Sequence, residues 1–222
     1  ILGATVSRTA NRWFVAIQVE VKDEQFYRRR KADGIVGVDL GVKAAATLSN
    51  GESIDAPKPL KAALRRLKIR SRRLSRKIKA AKMAAGFALN APLPKGTRLP
   101  ISSNRKKSSA ALARLHARIA NVRADFVHKL TTRICRENQA VVIEDLNVRD
   151  MLANDRLARA ISDVGFGMFR SQMEYKSKRY GTQLVIADRW FPSSRLCSVC
   201  GWKNEELSLR DRAWTCPKCS TH

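Results

Sequence analysis

Two acids stand where short apolar runs end, and four cysteines follow in two pairs near the end of the sequence. These are the side chains whose types and spacing could do chemistry. Asp39 closes Gly34-Ile-Val-Gly-Val-Asp39-Leu-Gly41, and Glu144 follows the run 140–143, with Asp145 and Leu146 behind it. β-Branched residues between glycines are the composition of a buried central strand, where an unpaired carboxylate is costly. A bound cation would remove that cost, while an Asp that merely caps a turn at the strand end is the alternative. Gly37 and Gly41 leave room beside the acid for a backbone or a phosphate. If both strands lie in one sheet, Asp39 and Glu144 meet at the same strand ends, as hard divalent cations such as Mg2+ require of oxygen ligands.

Side chains alternate along a strand, so Asp145 should face away from Glu144, and it is expected to cap the helix from Leu146 onward, with a ligand role as the alternative. A third apolar run, 184–187, precedes Asp188 and Arg189. A bridge from Asp188 to Arg189, or a turn cap, is expected there, with metal ligation as the alternative.

The cysteines read Cys197-x-x-Cys200, fifteen residues, then Cys216-x-x-Cys219. Four thiolates on two tight knuckles make a closed tetrahedral Zn2+ site, which leaves no position for water and therefore folds a ribbon instead of catalysing a reaction. Two disulfides are the alternative, and they would need an oxidising compartment. Trp202, Trp214, Arg210, Arg212 and Lys218 lie in or beside the ribbon, either to touch nucleic acid or, for the two tryptophans, to form its small core. Cys135 reads as a small buried apolar residue.

The elements that must position these groups are legible in the periodicity. The region 56–124 holds 20 Lys and Arg and no Asp or Glu. Leu60, Leu64, Leu67, Leu74 and Ile78 recur at helical spacing, a Pro-rich break at 91–100 follows, and Leu112, Leu115, Ile119, Val122, Phe126, Leu130 and Ile134 resume the spacing. Two long helices in an antiparallel hairpin result, with phosphate as the expected partner of Arg65, Arg66, Arg70, Arg72, Arg73, Arg76, Lys77, Arg105, Lys106 and Lys107. His116 and His128 are expected to be surface or packing residues. Leu157, Ile161, Val164, Phe169 and Met173 predict a further helix ended by Gly181. The run Trp13, Val15, Ile17, Val19, Val21 predicts a hairpin with residues 4–7, and Asn50-Gly51 predicts another. The basic tract Arg28–Lys31 reads as a solvated linker.

The 222 residues, 44% of them apolar, suffice for one core and an appendage. A net charge of +25 calls for a polyanionic partner. No apolar run approaches the roughly 20 residues that span a bilayer, so nucleic acid is favoured over membrane. Starting at Ile1 inside a strand and stopping at His222, the sequence is expected to be a fragment at both ends.

The order Gly37-Val-Asp39-Leu-Gly41, basic hairpin, Ile143-Glu144-Asp145-Leu-Asn147-Val148 and Pro192-Ser-Ser-x-x-Cys197 resembles the OrfB or TnpB family of insertion-sequence transposons, relatives of type V CRISPR effector nucleases. The stretches Arg118–Phe126 and Leu157–Asp163 also look typical of it. The resemblance implies an α/β fold with an RNase H-like (RuvC-like) mixed sheet, an inserted basic helical hairpin and a C-terminal four-cysteine zinc ribbon. It divides the chain into upstream wedge strands (1–31), a RuvC-like nuclease domain (32–192) with a helical insertion (56–137), and a target-binding ribbon (193–222). Asp39 and Glu144 would be the first and second catalytic acids, holding two Mg2+ for phosphodiester hydrolysis, with structural Zn2+ on Cys197, Cys200, Cys216 and Cys219. The family's third catalytic Asp falls beyond the last cysteine in a His-x-Arg-Asp context, of which His222 would be the first residue. The fragment itself is therefore expected to cut poorly or not at all. DNA and a guide RNA would be the partners and the bacterial or archaeal cytoplasm the location. A catalytically inactive transposon-encoded DNA- or RNA-binding protein is the alternative, and a zinc-ribbon RNA-binding protein of the ribosomal kind is a second.

Overall fold

The computed structural model describes residues 1–22, 33–189, 191–192, 194–208, 211 and 213–222. The tract Arg28–Lys31, and Arg210 and Arg212, lie outside the described residues.

Strands β1 (Gly3–Thr9) and β2 (Arg12–Gln18) pair antiparallel through a two-residue turn. Ala10 and Asn11 carry φ of 51° and 66°, the left-handed pair that matches the twist of a hairpin. Trp13, Val15 and Ile17 remain exposed on this ribbon.

A separate five-stranded sheet holds β3 (Gly34–Asp39), β4 (Ala46–Leu48), β5 (Ser53–Ile54), β6 (Asn138–Glu144) and β7 (Gln183–Ala187), in the order β5-β4-β3-β6-β7. The first three run antiparallel, with Asn50 Oδ1 accepting from the Glu52 amide at 3.0 Å in the expected Asn-Gly turn. Strand β6 lies parallel to β3, and β7 parallel to β6. Parallel neighbours need crossovers, and helices supply them. Helices α1 (Pro59–Ala84) and α2 (Ser103–Glu137) join β5 to β6, while α3 (Val148–Ala153), α4 (Ala158–Val164) and α5 (Phe166–Tyr180) join β6 to β7.

The expected single helix over 157–173 is two helices. Gly165 breaks it at φ 88°, a conformation that favours glycine, and a Cβ there would crowd Arg123 Cδ at 3.1 Å. Gly181, at φ 72°, caps α5 as expected.

Helices α1 and α2 form the antiparallel hairpin. Ala63, Leu115 and Ile119 are buried with Leu60 and Leu67 at its base. Arg70 donates to the Ala111 carbonyl at 2.6 Å, and Lys77 donates to the Asn104 carbonyl at 3.0 Å and to Ser108 Oγ at 2.6 Å, a register that descends α2 as it climbs α1. The C-terminal half of α2 then enters the main core. Val127, Leu130, Ile134 and Cys135 pack with Phe169 and Met173 of α5 on one face of the sheet, against Val36, Val38, Val141 and Ile143. Each such aliphatic or aromatic side chain contributes about 1.5–3 kcal/mol on burial.

One cation is inside this layer. Lys176 is buried between α5 and α2, where Nζ donates to the His128 carbonyl at 2.7 Å and to the hydroxyls of Thr131 and Thr132 at 2.8 Å each. Gln172 Oε1 lies 3.3 Å away as a fourth acceptor, so the three ammonium hydrogens are fully surrounded by oxygens, which is what lets the charge be buried. Burial still holds the lysine below its ordinary pKa.

Candidate active site

Pairing and side-chain alternation place the two acids. Val36 and Val38 of β3 and Val141 and Ile143 of β6 point into the core, so Asp39 and Glu144, one position on, emerge on the opposite face. Ile35 at 72% and Val185 at 39% exposure show that this face is uncovered among the described residues. In the parallel register Val38 lies beside Ile143, which sets Asp39 beside Glu144 at the carboxyl ends of adjacent strands. Both acids line one open cleft of about 420 Å³, with Thr47, Asn147, Asp188 and Phe191.

Asp39 differs from expectation in one respect. It is exposed, because it is the last residue of β3, at the open carboxyl end of the strand. Glu144 is half-buried, and its carboxyl is pushed above the usual glutamate range first by burial and then by the Asp39 charge. A cation between the two would relieve that repulsion, and the donor set of hard oxygens suits a divalent ion that completes its shell with water and substrate.

The raised pKa fixes a sign. Glu144 binds its proton more tightly in the folded chain, so its contribution to stability is full below the ordinary glutamate pKa and is lost as pH rises through the raised value. Without added metal, Glu144→Gln is therefore expected to raise the thermal midpoint near about pH 7, with the gap closing toward about pH 4. A lower midpoint for the glutamine variant at the upper pH would contradict this.

Asp145 turns to the helix side. Its carboxylate takes Arg189 Nη2 at 2.7 Å and lies 3.8 Å from Arg170 Nη1, so it ties β6 to α5 and to the segment after β7. The expected cap at Asp145 belongs instead to Asn147, whose side chain accepts from the Asp150 amide at 3.2 Å. Arg189 also donates through Nε to the Asp145 carbonyl at 3.1 Å. The Asp188 carbonyl accepts from the Phe191 amide at 3.0 Å. Gly41 is explained by its own chain, since a Cβ would stand 2.9 Å from the Ala44 carbonyl oxygen.

The four cysteines converge. Their sulfurs all lie within 4.8 Å of one another, with Cys197 to Cys219 at 3.4 Å and Cys200 to Cys216 at 3.6 Å. The edge of a zinc–thiolate tetrahedron is about 3.8 Å for bonds of about 2.3 Å, so the cluster fits a tetrahedral metal ion. The two knuckles have the same design. The Gly201 amide donates to the Cys197 carbonyl at 3.0 Å and the Ser220 amide to the Cys216 carbonyl at 2.8 Å. Trp202 and Trp214 meet at 6.0 Å between ring centroids and are half-buried.

The cations of the hairpin divide into two sets. Arg70 and Lys77 bind across to α2, and Arg105 donates to the Pro100 carbonyl at 2.9 Å, so these three brace the hairpin internally. Arg65, Arg66, Arg72, Arg73, Arg76, Lys106 and Lys107 are exposed. His116 and His128 are exposed too, and Cys135 is buried as expected.

Sequence reasoning missed Asp163. It is 4% exposed and accepts from the Leu60 and Lys61 amides at 2.8 and 2.9 Å, while Arg123 Nη2 lies 3.7 Å from the same carboxylate. An acid among the apolar-spaced Ile161 and Val164 was the one available signal.

Fold and site together define an α/β protein with two carboxylates at an open strand edge, a cationic helical hairpin and a four-thiol ribbon. Residues 16–155, well over half of the chain, match the family OrfB_IS605, described as "Probable transposase", and residues 166–222 match a domain described as "Cas12f1-like, TNB domain". The chain belongs to the OrfB_IS605 family. A protein of Streptomyces pristinaespiralis named "Putative RNA-guided DNA endonuclease" is 44% identical over 219 residues, covering 98% of this chain and 48% of the relative. A protein of Mycobacterium tuberculosis that also bears the name "Putative RNA-guided DNA endonuclease" is 34% identical over 240 residues, covering 100% and 46%. Among solved structures, a chain of the Cas12f1–sgRNA–target DNA complex is similar at a TM-score of 0.48 and 16% identity, covering 97% of this chain and 51% of that one. The chain spans about half the length of the curated relatives it matches.

Proposed function

We propose that the chain is the nuclease portion of an RNA-guided DNA endonuclease, an RNase H-like (RuvC-like) fold that hydrolyses phosphodiesters at Asp39 and Glu144. The observation that carries this is the delivery of two carboxylates, 105 positions apart in sequence (144 − 39), to adjacent parallel strand ends on an uncovered face. The names borne by the relatives support it.

In this reading Asp39 and Glu144 are the residues that hold Mg2+, which when bound supplies an activated water and stabilises the leaving oxygen. The open edge admits the scissile phosphate to the two acids. Their combined negative charge keeps phosphate away until it is neutralised, so the site depends on added divalent cation. The remaining parts of the chain position the substrate. The exposed arginines of α1 follow a phosphate backbone, which supplies affinity without reading sequence. Sequence is left to pairing with a guide RNA. The thiol cluster holds Zn2+ as a structural ion and shapes the ribbon, where Lys218, Trp202 and Trp214 face the target nucleic acid.

The test is cleavage of guide-matched DNA in Mg2+ by the product of the whole open reading frame. Several kcal/mol of transition-state stabilisation correspond to about 10³-fold in rate, the loss expected for Asp39→Ala and for Glu144→Ala with RNA binding retained. Cleavage surviving both substitutions would reject the mechanism.

A further inference from the structure

A groove away from the acids has the chemistry of an anion site. It occupies about 570 Å³ between α1, α2 and α4. Its floor is apolar, from Leu64, Leu67 and Leu112. Its rim carries Arg65 and Lys68 of α1, His116 of α2 and Arg159 of α4, with Ser71 beside them and no carboxylate among the lining residues. The three rim cations Arg65, Lys68 and Arg159, together with His116 and Ser71, are exposed.

What distinguishes this groove from a merely basic surface is that its two banks are fastened together. Arg159 lies on α4, which belongs to the β6–β7 crossover and not to the hairpin. Four residues on, Asp163 of the same helix caps the first turn of α1 through the Leu60 and Lys61 amides, and Arg123 of α2 reaches both its carboxylate, at 3.7 Å, and its carbonyl, at 3.1 Å. One buried acid thus joins three helices and fixes the helix that carries Arg159 into the same groove as Arg65 and Lys68. Like charges are held together across a fixed gap although nothing acidic lines it, an arrangement that an anionic occupant stabilises.

We propose that this groove is a preformed cradle for the phosphodiester backbone of a nucleic-acid strand, with Arg159 its closing contact. The inference rests on the nucleic-acid partner of the proposed function but not on the carboxylate chemistry. A rim of cations over an apolar floor suits one strand, with phosphate at the rim and the less polar sugar edge below.

The test is equilibrium binding by the 222-residue chain, without divalent metal, to a fluorescein-labelled 20-nucleotide single-stranded RNA and to the DNA of the same sequence, across a salt series. Arg159→Gln is expected to weaken binding by about 3- to 10-fold at low salt and to lower the salt slope by about 1. Arg159→Lys should recover most of the loss. Arg98→Gln, which removes an equal charge from the exposed inter-helix loop outside the groove, should change binding less than 2-fold, on the order expected for a distant screened charge. A thermal midpoint unchanged by Arg159→Gln separates lost contact from misfolding. Equal losses at Arg98 and Arg159, or a lysine variant as weak as the glutamine one, would overturn the cradle while leaving the nucleic-acid partner intact. Absence of binding by the unsubstituted chain to either strand would overturn both. Loss confined to RNA or to DNA identifies which strand lies in the groove.

Discussion

Withdrawal of metal from the four-thiol cluster by a strong chelator is expected to unfold residues 194–222 while the five-stranded sheet stays folded. The reason is the poverty of that segment's own core. Among its described residues the buried apolar side chains are Cys197 and Cys216, two of the four thiols that would hold the ion, with the two tryptophans only half-buried beside them. Nothing of the size of the β-sheet core replaces the ion if it leaves. Structural zinc contributes on the order of 10–16 kcal/mol of apparent binding energy in small zinc-folded peptides, far more than a pair of half-buried rings can return. Cys216→Ser, which removes the most buried ligand, should have the same effect as chelation. Limited proteolysis reads the outcome, with cleavage appearing after Pro192 and the core fragment surviving. A ribbon that stays protease-resistant after its metal is removed would sink the assignment of a structural ion.

The second large effect is expected at Asp163. Helix α1 has no acid in its first turn and no side-chain cap at Lys58, whose φ is 42°, so its leading amides have no local acceptor. The partial positive charge at that end is met from 103 residues away by the Asp163 carboxylate, which also faces Arg123. Asp163→Ala strips two amides of their acceptor and leaves the 19%-exposed Arg123 side chain without its anion. Breaking a buried pair from one side costs about 3–5 kcal/mol, and urea unfolding should show a loss of that order. Asp163→Asn, which keeps an acceptor but not the charge, should lose less. A change below about 1 kcal/mol for the alanine variant would show that the junction is dispensable.

How far the molecule was legible in its sequence depends on the range of the interaction concerned. Strand ends at Asp39 and Glu144, the two long helices and the four cysteines show themselves through local periodicity or spacing, and the structure contains each of them. The Asn-Gly turn and the Gly181 cap are equally local. Asp145 was misread because a cap and a long-range ion pair ask for the same side chain, and only the fold brings Arg170 and Arg189 to it. The use of Arg70 and Lys77 across the helix pair, and of Arg105 on the loop before its own helix, was hidden for a similar reason, since a cation that binds a carbonyl has the same sequence pattern as one left to solvent. Gly165 sits within apolar spacing that continues through it, so its φ of 88° was overridden in the reading by the period on either side. The residues before Asp39 mark a buried strand, and the strand is indeed central, yet composition does not say that Asp39 itself falls at its open carboxyl end.

The face that carries Asp39 and Glu144 has a consequence for what can reach them. Because Ile35 and Val185 lie open and the described chain forms no roof over the strand ends, the acids stand on a ledge and not in a tunnel. In the proposed reading, a ledge of this kind would let a long polymer be laid across it at any point along its length, with no free terminus threaded first.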